Sequence, residues 1–140
     1  MRIGIGRRLA GAAALLAALA LGDAAHAQGV RSRILEGLQL ARRPGGYELV
    51  IRFTTPIRYL RHSPVGEAQE IHISIEPLQV GPVDEGALSR RESLRLPPEL
   101  PIPLLAIDFE GDREEQPVVN VRFARKLPFR VRQGDDFRSL

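Results

Sequence analysis

The sequence predicts an all-β chain: a small β-sandwich built from two related strand–break–strand–strand halves. Three observations carry that prediction. Apolar and polar residues alternate with period two, most cleanly over Glu70–Glu76, where Ile71, Ile73 and Ile75 share one face and His72 and Ser74 the other. Turn chemistry punctuates the alternating stretches, above all at Pro44-Gly45-Gly46. An internal repeat recurs at an offset of 70 residues: Leu49-Val50-Ile51-Arg52-Phe53 matches Val119-Asn120-Val121-Arg122-Phe123. Ile57 then matches Leu127, and Tyr59 matches Phe129.

Residues 1–27 stand apart from this pattern. Arg7 and Arg8 precede an apolar run from Leu9 to Leu21, and Ala25 and Ala27 put small residues at −3 and −1 of a cleavage point. That is the layout of a secretory signal peptide cut after Ala27. A run of 13 residues reaches only about 20 Å as a helix, short of the roughly 30 Å of a bilayer core. The expected product is residues 28–140, exported to the periplasm with no stable membrane span. The chain has no cysteine, so neither a lipid anchor on a terminal Cys nor a disulfide framework is expected.

Within 28–140 the strands are expected in order. Ile34–Ala41 leads through the Pro-Gly-Gly turn to Tyr47–Phe53, whose Tyr47, Leu49, Ile51 and Phe53 should face inward. Pro56 breaks the chain before Ile57–His62, and Glu70–Glu76 comes next. Residues 77–103 hold six of the eleven prolines and no apolar periodicity. They read as an irregular crossover with one short helical turn near Glu85–Ser89. Strands resume at Leu104–Glu110, Val118–Ala124 and Leu127–Arg132, and one more begins at Phe137.

Charge excludes several functions. Beyond residue 27 there are 17 arginines and lysines against 16 acids, so the formal +3 falls to about +1. A nearly neutral chain does not bind nucleic acid by bulk charge, and seven Phe plus Tyr without Trp make a poor stacking platform. Among 20 basic residues only Lys126 is a lysine.

The stretch GYELVIRFTTPIRYLRHSP followed by EIHISIEPL resembles the AMIN type of domain, a small periplasmic β-sandwich at the N-terminus of cell-wall amidases and pilus secretins. Tyr59, Pro64, Ile71, Ile73 and Ile75 fill the places of that pattern. The whole of 28–140 also resembles the N-terminal β module ahead of tetratricopeptide or SPOR regions, through Leu104–Gly111 and the ending Phe137-Arg138-Ser139-Leu140. The resemblance implies an envelope-targeting or peptidoglycan-binding module without chemistry of its own. Where the AMIN pattern usually carries Arg-aliphatic-aliphatic-Asp, this chain has Glu70-Ile71-His72-Ile73-Ser74-Ile75, so the family's ligand contacts do not carry over.

No catalytic, metal or cofactor constellation emerges. His62 and His72 lack His-x-His or Glu-x-x-His spacing and read as solvated strand positions, and Ser63 lacks a nucleophile elbow. Asp108, Glu110, Asp112, Glu114 and Glu115 lack the ordered spacing of a calcium loop and read as a charged hairpin tip. The candidate ligand-binding residues are arginines: Arg52, Arg122, Arg130 and Arg132, placed on outward parity of expected strands, and Arg58, which with Arg61 lies near them. A guanidinium fork suits the carboxylates and phosphates of envelope polymers. The alternative for these arginines is an ordinary charged sheet face. Two functional readings remain. One is a non-enzymatic module binding peptidoglycan or another cell-wall polymer. The other is an adaptor for envelope proteins, or a homodimer, using the open edge of an incomplete last strand at Phe137–Leu140, as in the N-terminal part of a longer envelope protein.

Overall fold

The computed structural model describes residues 33–78, 85–113 and 115–140, all within one compact unit, Arg31–Leu140. The expected signal peptide and its cleavage point lie outside the described residues. The fold is an all-β sandwich of two antiparallel sheets. Strands β1 (Leu35–Arg43) and β2 (Gly46–Phe53) form the smaller sheet. The larger is formed by β3 (Ile57–Ser63), β4 (Glu67–Pro77), β5 (Arg91–Ser93), β6 (Leu104–Glu110) and β7 (Val118–Pro128), in the order β3-β4-β7-β6-β5. A four-residue helix, α1 (Glu85–Leu88), falls at the helical turn expected in the crossover.

Local sequence explains the first hairpin. Pro44 holds φ near −65°, and Gly45 sits at φ 87°, where a Cβ would be strained. Register then pairs Arg43 with Gly46 and Leu38 with Ile51. Tyr47 is 44% exposed, against the expected inward position, because the hairpin end projects past the core.

Inward faces of both sheets meet in one hydrophobic cluster. Phe53, Ile57, Ile75, Ile107, Phe109 and Val119 are fully buried in it, with Ile51, Ile71, Ile73, Val121 and Phe123 nearly so. The repeated motif therefore does the same work twice: Ile51 and Phe53, like Val121 and Phe123, point into the core, while Arg52 and Arg122 point out. Past the phenylalanines the copies part. The first breaks at Thr54–Pro56 between sheets, whereas β7 runs unbroken through Leu127 and Pro128, which stay paired with Ala68 and Glu67 of β4. The strand expected over Leu127–Arg132 thus does not form as a separate element. Residues 129–133 leave the sheet as irregular backbone.

Two further differences come from long-range pairing. Arg91–Ser93, in the expected irregular crossover, instead forms β5 against β6. The last residues make one bridge, Arg52 to Ser139. Around that bridge Ile51 N–H donates to Leu140 O, Leu140 N–H to Ile51 O, and Phe53 N–H to Arg138 O. Hence Phe137–Leu140, the expected open edge, is itself laid on β2. Its outer side is also engaged, since Gly134 N–H donates to Ser139 O at 2.9 Å. Among the described residues no helix is long and apolar enough to cross a membrane.

Candidate functional site: the outer face of the five-stranded sheet

Antiparallel pairing puts directly opposed residues on one face, so the register writes out the surface of the larger sheet row by row. One row crosses all five strands: Ser63 faces His72, His72 faces Asn120, Asn120 faces Asp108, and Asp108 faces Ser93. Every member is polar. Asn120, at the centre, is only 7% exposed although it points away from the core. It is flanked on both sides by strands.

Hydrogen bonds run along this row. His72 Nδ1 lies 2.6 Å from Asn120 Oδ1. An amide oxygen can only accept, so Nδ1 is the donor in this pair and the ring is held by it. Ser93 Oγ donates to Asp108 Oδ1 at 2.6 Å, and Arg122 donates to Asp108 Oδ2 at 3.3 Å. The neighbouring row runs Arg61, Ser74, Val118, Glu110, Arg91.

Over these rows lies an open groove of about 610 Å³. Arg61 and Ser63 of β3 line one side, and His72 and Ser74 of β4 with Val118 of β7 lie along it. The β6–β7 connection supplies Asp112, Arg113 and Glu115. Two of those loop charges are used locally: Asp112 pairs with Arg91 at 3.1 Å, and Arg113 with Glu110 at 2.7 Å. The acidic residues expected to cluster at one hairpin tip are thus mostly distributed into ion pairs with arginine, while Glu114 lies outside the described residues.

The five arginines singled out from sequence do not converge. Arg52 lies on the outer face of the smaller sheet, 3.4 Å from Gln39 Oε1. Arg58 and Arg122 share the outer face of the larger sheet. Their β4 partners, Glu76 and Glu70, are six residues apart, or roughly 20 Å along a strand. Arg58 pairs with Glu76 at 3.0 Å and Arg122 with Asp108 at 3.3 Å. Arg130 and Arg132 are not on a strand face, because β7 ends at Pro128. Arg132 reaches Glu48 at 2.7 Å, while Arg130 makes no ion pair among the described residues. The Glu48 carboxylate is held below its ordinary value by hydrogen bonds, from Arg43 first and then Arg132. Exposed pairs of this kind contribute little to stability.

His62 also departs from expectation. It is half-buried, with Nδ1 2.6 Å from the Tyr59 hydroxyl and its ring 5.7 Å from that of Phe129. A register shift between Tyr59 and Arg61 brings Tyr59 and His62 to the same side. His72 does point outward as expected, but its bond to Asn120 makes it part of a network. The sequence signal for that network is faint: a single Asn between Val119 and Val121, unreadable until β7 is known to lie beside β4. No family model, curated protein or solved structure matches this chain.

Proposed function

We propose that the chain is an exported, periplasmic, non-enzymatic module that binds peptidoglycan or another cell-envelope polymer through the outer face of its five-stranded sheet. The observation that carries this reading is the polar row Ser63–His72–Asn120–Asp108–Ser93, which crosses every strand. Such a row offers successive hydrogen-bonding groups at strand spacing, about 4.8 Å, to an elongated polar ligand. The resemblance to AMIN-type domains supports an envelope polymer as that ligand. The test is sedimentation of the purified chain with isolated sacculi. The chain should pellet, and Arg122→Ala combined with His72→Ala should cut the pelleted fraction several-fold. Undiminished pelleting of the double variant removes this face from the reading; failure of the parent chain to pellet removes the reading itself.

A second reading, an adaptor for envelope proteins or a second copy, draws on a different observation. β1 pairs only with β2 among the described residues, so beyond Leu35, whose N–H is taken by Glu92, its other edge has no strand neighbour. A chain that stays in solution with sacculi but self-associates favours this reading.

A further inference from the structure

The groove beside β3 carries two opposite charges that the fold leaves uncommitted. Among the described residues, neither Arg61 nor Glu115 makes an ion pair, while Asp112 and Arg113 in the same wall are both paired. Arg61 stands on β3 and Glu115 on the β6–β7 connection, with β4 and β7 in between. A simple anion drawn to Arg61 meets carboxylates along the loop, and a simple cation drawn to Glu115 meets the guanidinium. A ligand with a carboxylate at one end and an ammonium at the other satisfies both.

The groove floor suits what lies between such ends. The His72 ring is oriented by its 2.6 Å bond to Asn120, and its other nitrogen can hydrogen-bond a peptide group. Ser74 and Ser63 add hydroxyls that both donate and accept, and the buried Val118 lies at the groove's base. A volume of about 610 Å³ falls within the roughly 300–1,000 Å³ of small-ligand sites. We infer that this groove binds a short zwitterionic peptide, its carboxylate on Arg61 and its ammonium on Glu115. This site shares His72 and Ser63 with the polymer-binding face but does not depend on polymer binding.

The test is an NMR titration of the purified chain with tri-L-alanine, its N-acetylated form and its C-amidated form. Tri-L-alanine should bind saturably, with the largest shift changes at His72, Ser74 and Val118. Each end-blocked form should bind roughly tenfold more weakly, the loss expected for one charge-assisted contact. Arg61→Ala should erase the penalty for C-amidation, and Glu115→Gln the penalty for N-acetylation. Both side chains are exposed, and unchanged amide spectra away from the groove verify folding. Absence of saturable binding, equal binding of all three peptides, or shifts mapping to another face overturns the inference. Sacculus pelleting without peptide binding overturns it while leaving the polymer reading intact; peptide binding without pelleting does the converse.

Discussion

Glu92 joins the two sheets. Its carboxylate accepts from Ile34 N–H at 2.9 and 3.0 Å and from Leu35 N–H at 3.1 Å. Both donors belong to nearly fully buried residues at the start of the smaller sheet, while Glu92 lies on β5 opposite Phe109. A carboxylate pointing inward from an edge strand thus satisfies backbone groups that have no strand partner. Glu92→Ala leaves these buried donors unpaired and should cost about 2–3 kcal/mol of stability in urea unfolding, with Glu92→Gln costing less because one amide oxygen still accepts. Nothing around Glu92 in the sequence announces this. In Ser89-Arg90-Arg91-Glu92 it reads as one more charge in a solvated crossover, since its partners lie 57 and 58 residues away.

Register irregularities decide which strand residues face the core. Shifts fall between Leu35 and Gly37, Tyr59 and Arg61, Ala68 and Glu70, and Leu104 and Ala106. An extra residue at each reverses the parity of the residues beyond it. Leu104 is therefore buried together with Ile107 and Phe109, while Leu105 is 57% exposed. Strict alternation reads Glu70–Glu76 and Val119–Phe123 correctly because no shift falls inside them; it misplaces His62 because one does. β3 shows how an edge is closed without a strand. Gln133 Oε1 accepts from Tyr59 N–H at 2.9 Å, and its Nε2 donates to Ile57 O at 2.8 Å. That side-chain amide occupies the place of a neighbouring peptide group. Gln133→Ala should uncover this edge, lower stability by about 1–2 kcal/mol and promote strand-mediated association. Denaturant midpoints together with light scattering check both effects.

The C-terminal segment bonds to both sheets. Ile51 and Phe53 of β2 donate to Leu140 and Arg138, and Ile57 of β3 donates to Phe137 O at 2.7 Å. The turn that delivers it is tight: a Cβ on Gly134 would come 2.0 Å from Ser139 Oγ. Asp136 holds it, accepting from Arg138 N–H at 2.9 Å and Ser139 Oγ at 2.8 Å. These contacts, the Arg138 N–H first, keep its carboxyl below the ordinary 3.8. A folded value below the unfolded one means that the stabilisation is complete above 3.8 and is lost as pH falls through the lower folded value. Hydrogen-exchange protection of the Ile51 and Phe53 amides should therefore hold above 3.8 and fall as the pH drops below it. In Asp136→Ala protection should be reduced throughout, and this segment's own pH dependence should vanish. Retention of the wild-type acid profile by Asp136→Ala contradicts the assignment.

Period-two alternation, turn residues and the repeated apolar-x-apolar-Arg-Phe motif were enough to determine an all-β chain, most strand positions and the outward direction of Arg52 and Arg122. Those features are local, and a strand's two faces come from its own geometry. The order β3-β4-β7-β6-β5 lay beyond that reach. With its register it sets Ser63, His72, Asn120, Asp108 and Ser93 in one line, while the split into two sheets and the end of β7 at Pro128 keep the five arginines apart. Neighbours across a sheet are chosen by burial of shared faces and by register, so chemistry shared between strands exists only once the strands have paired.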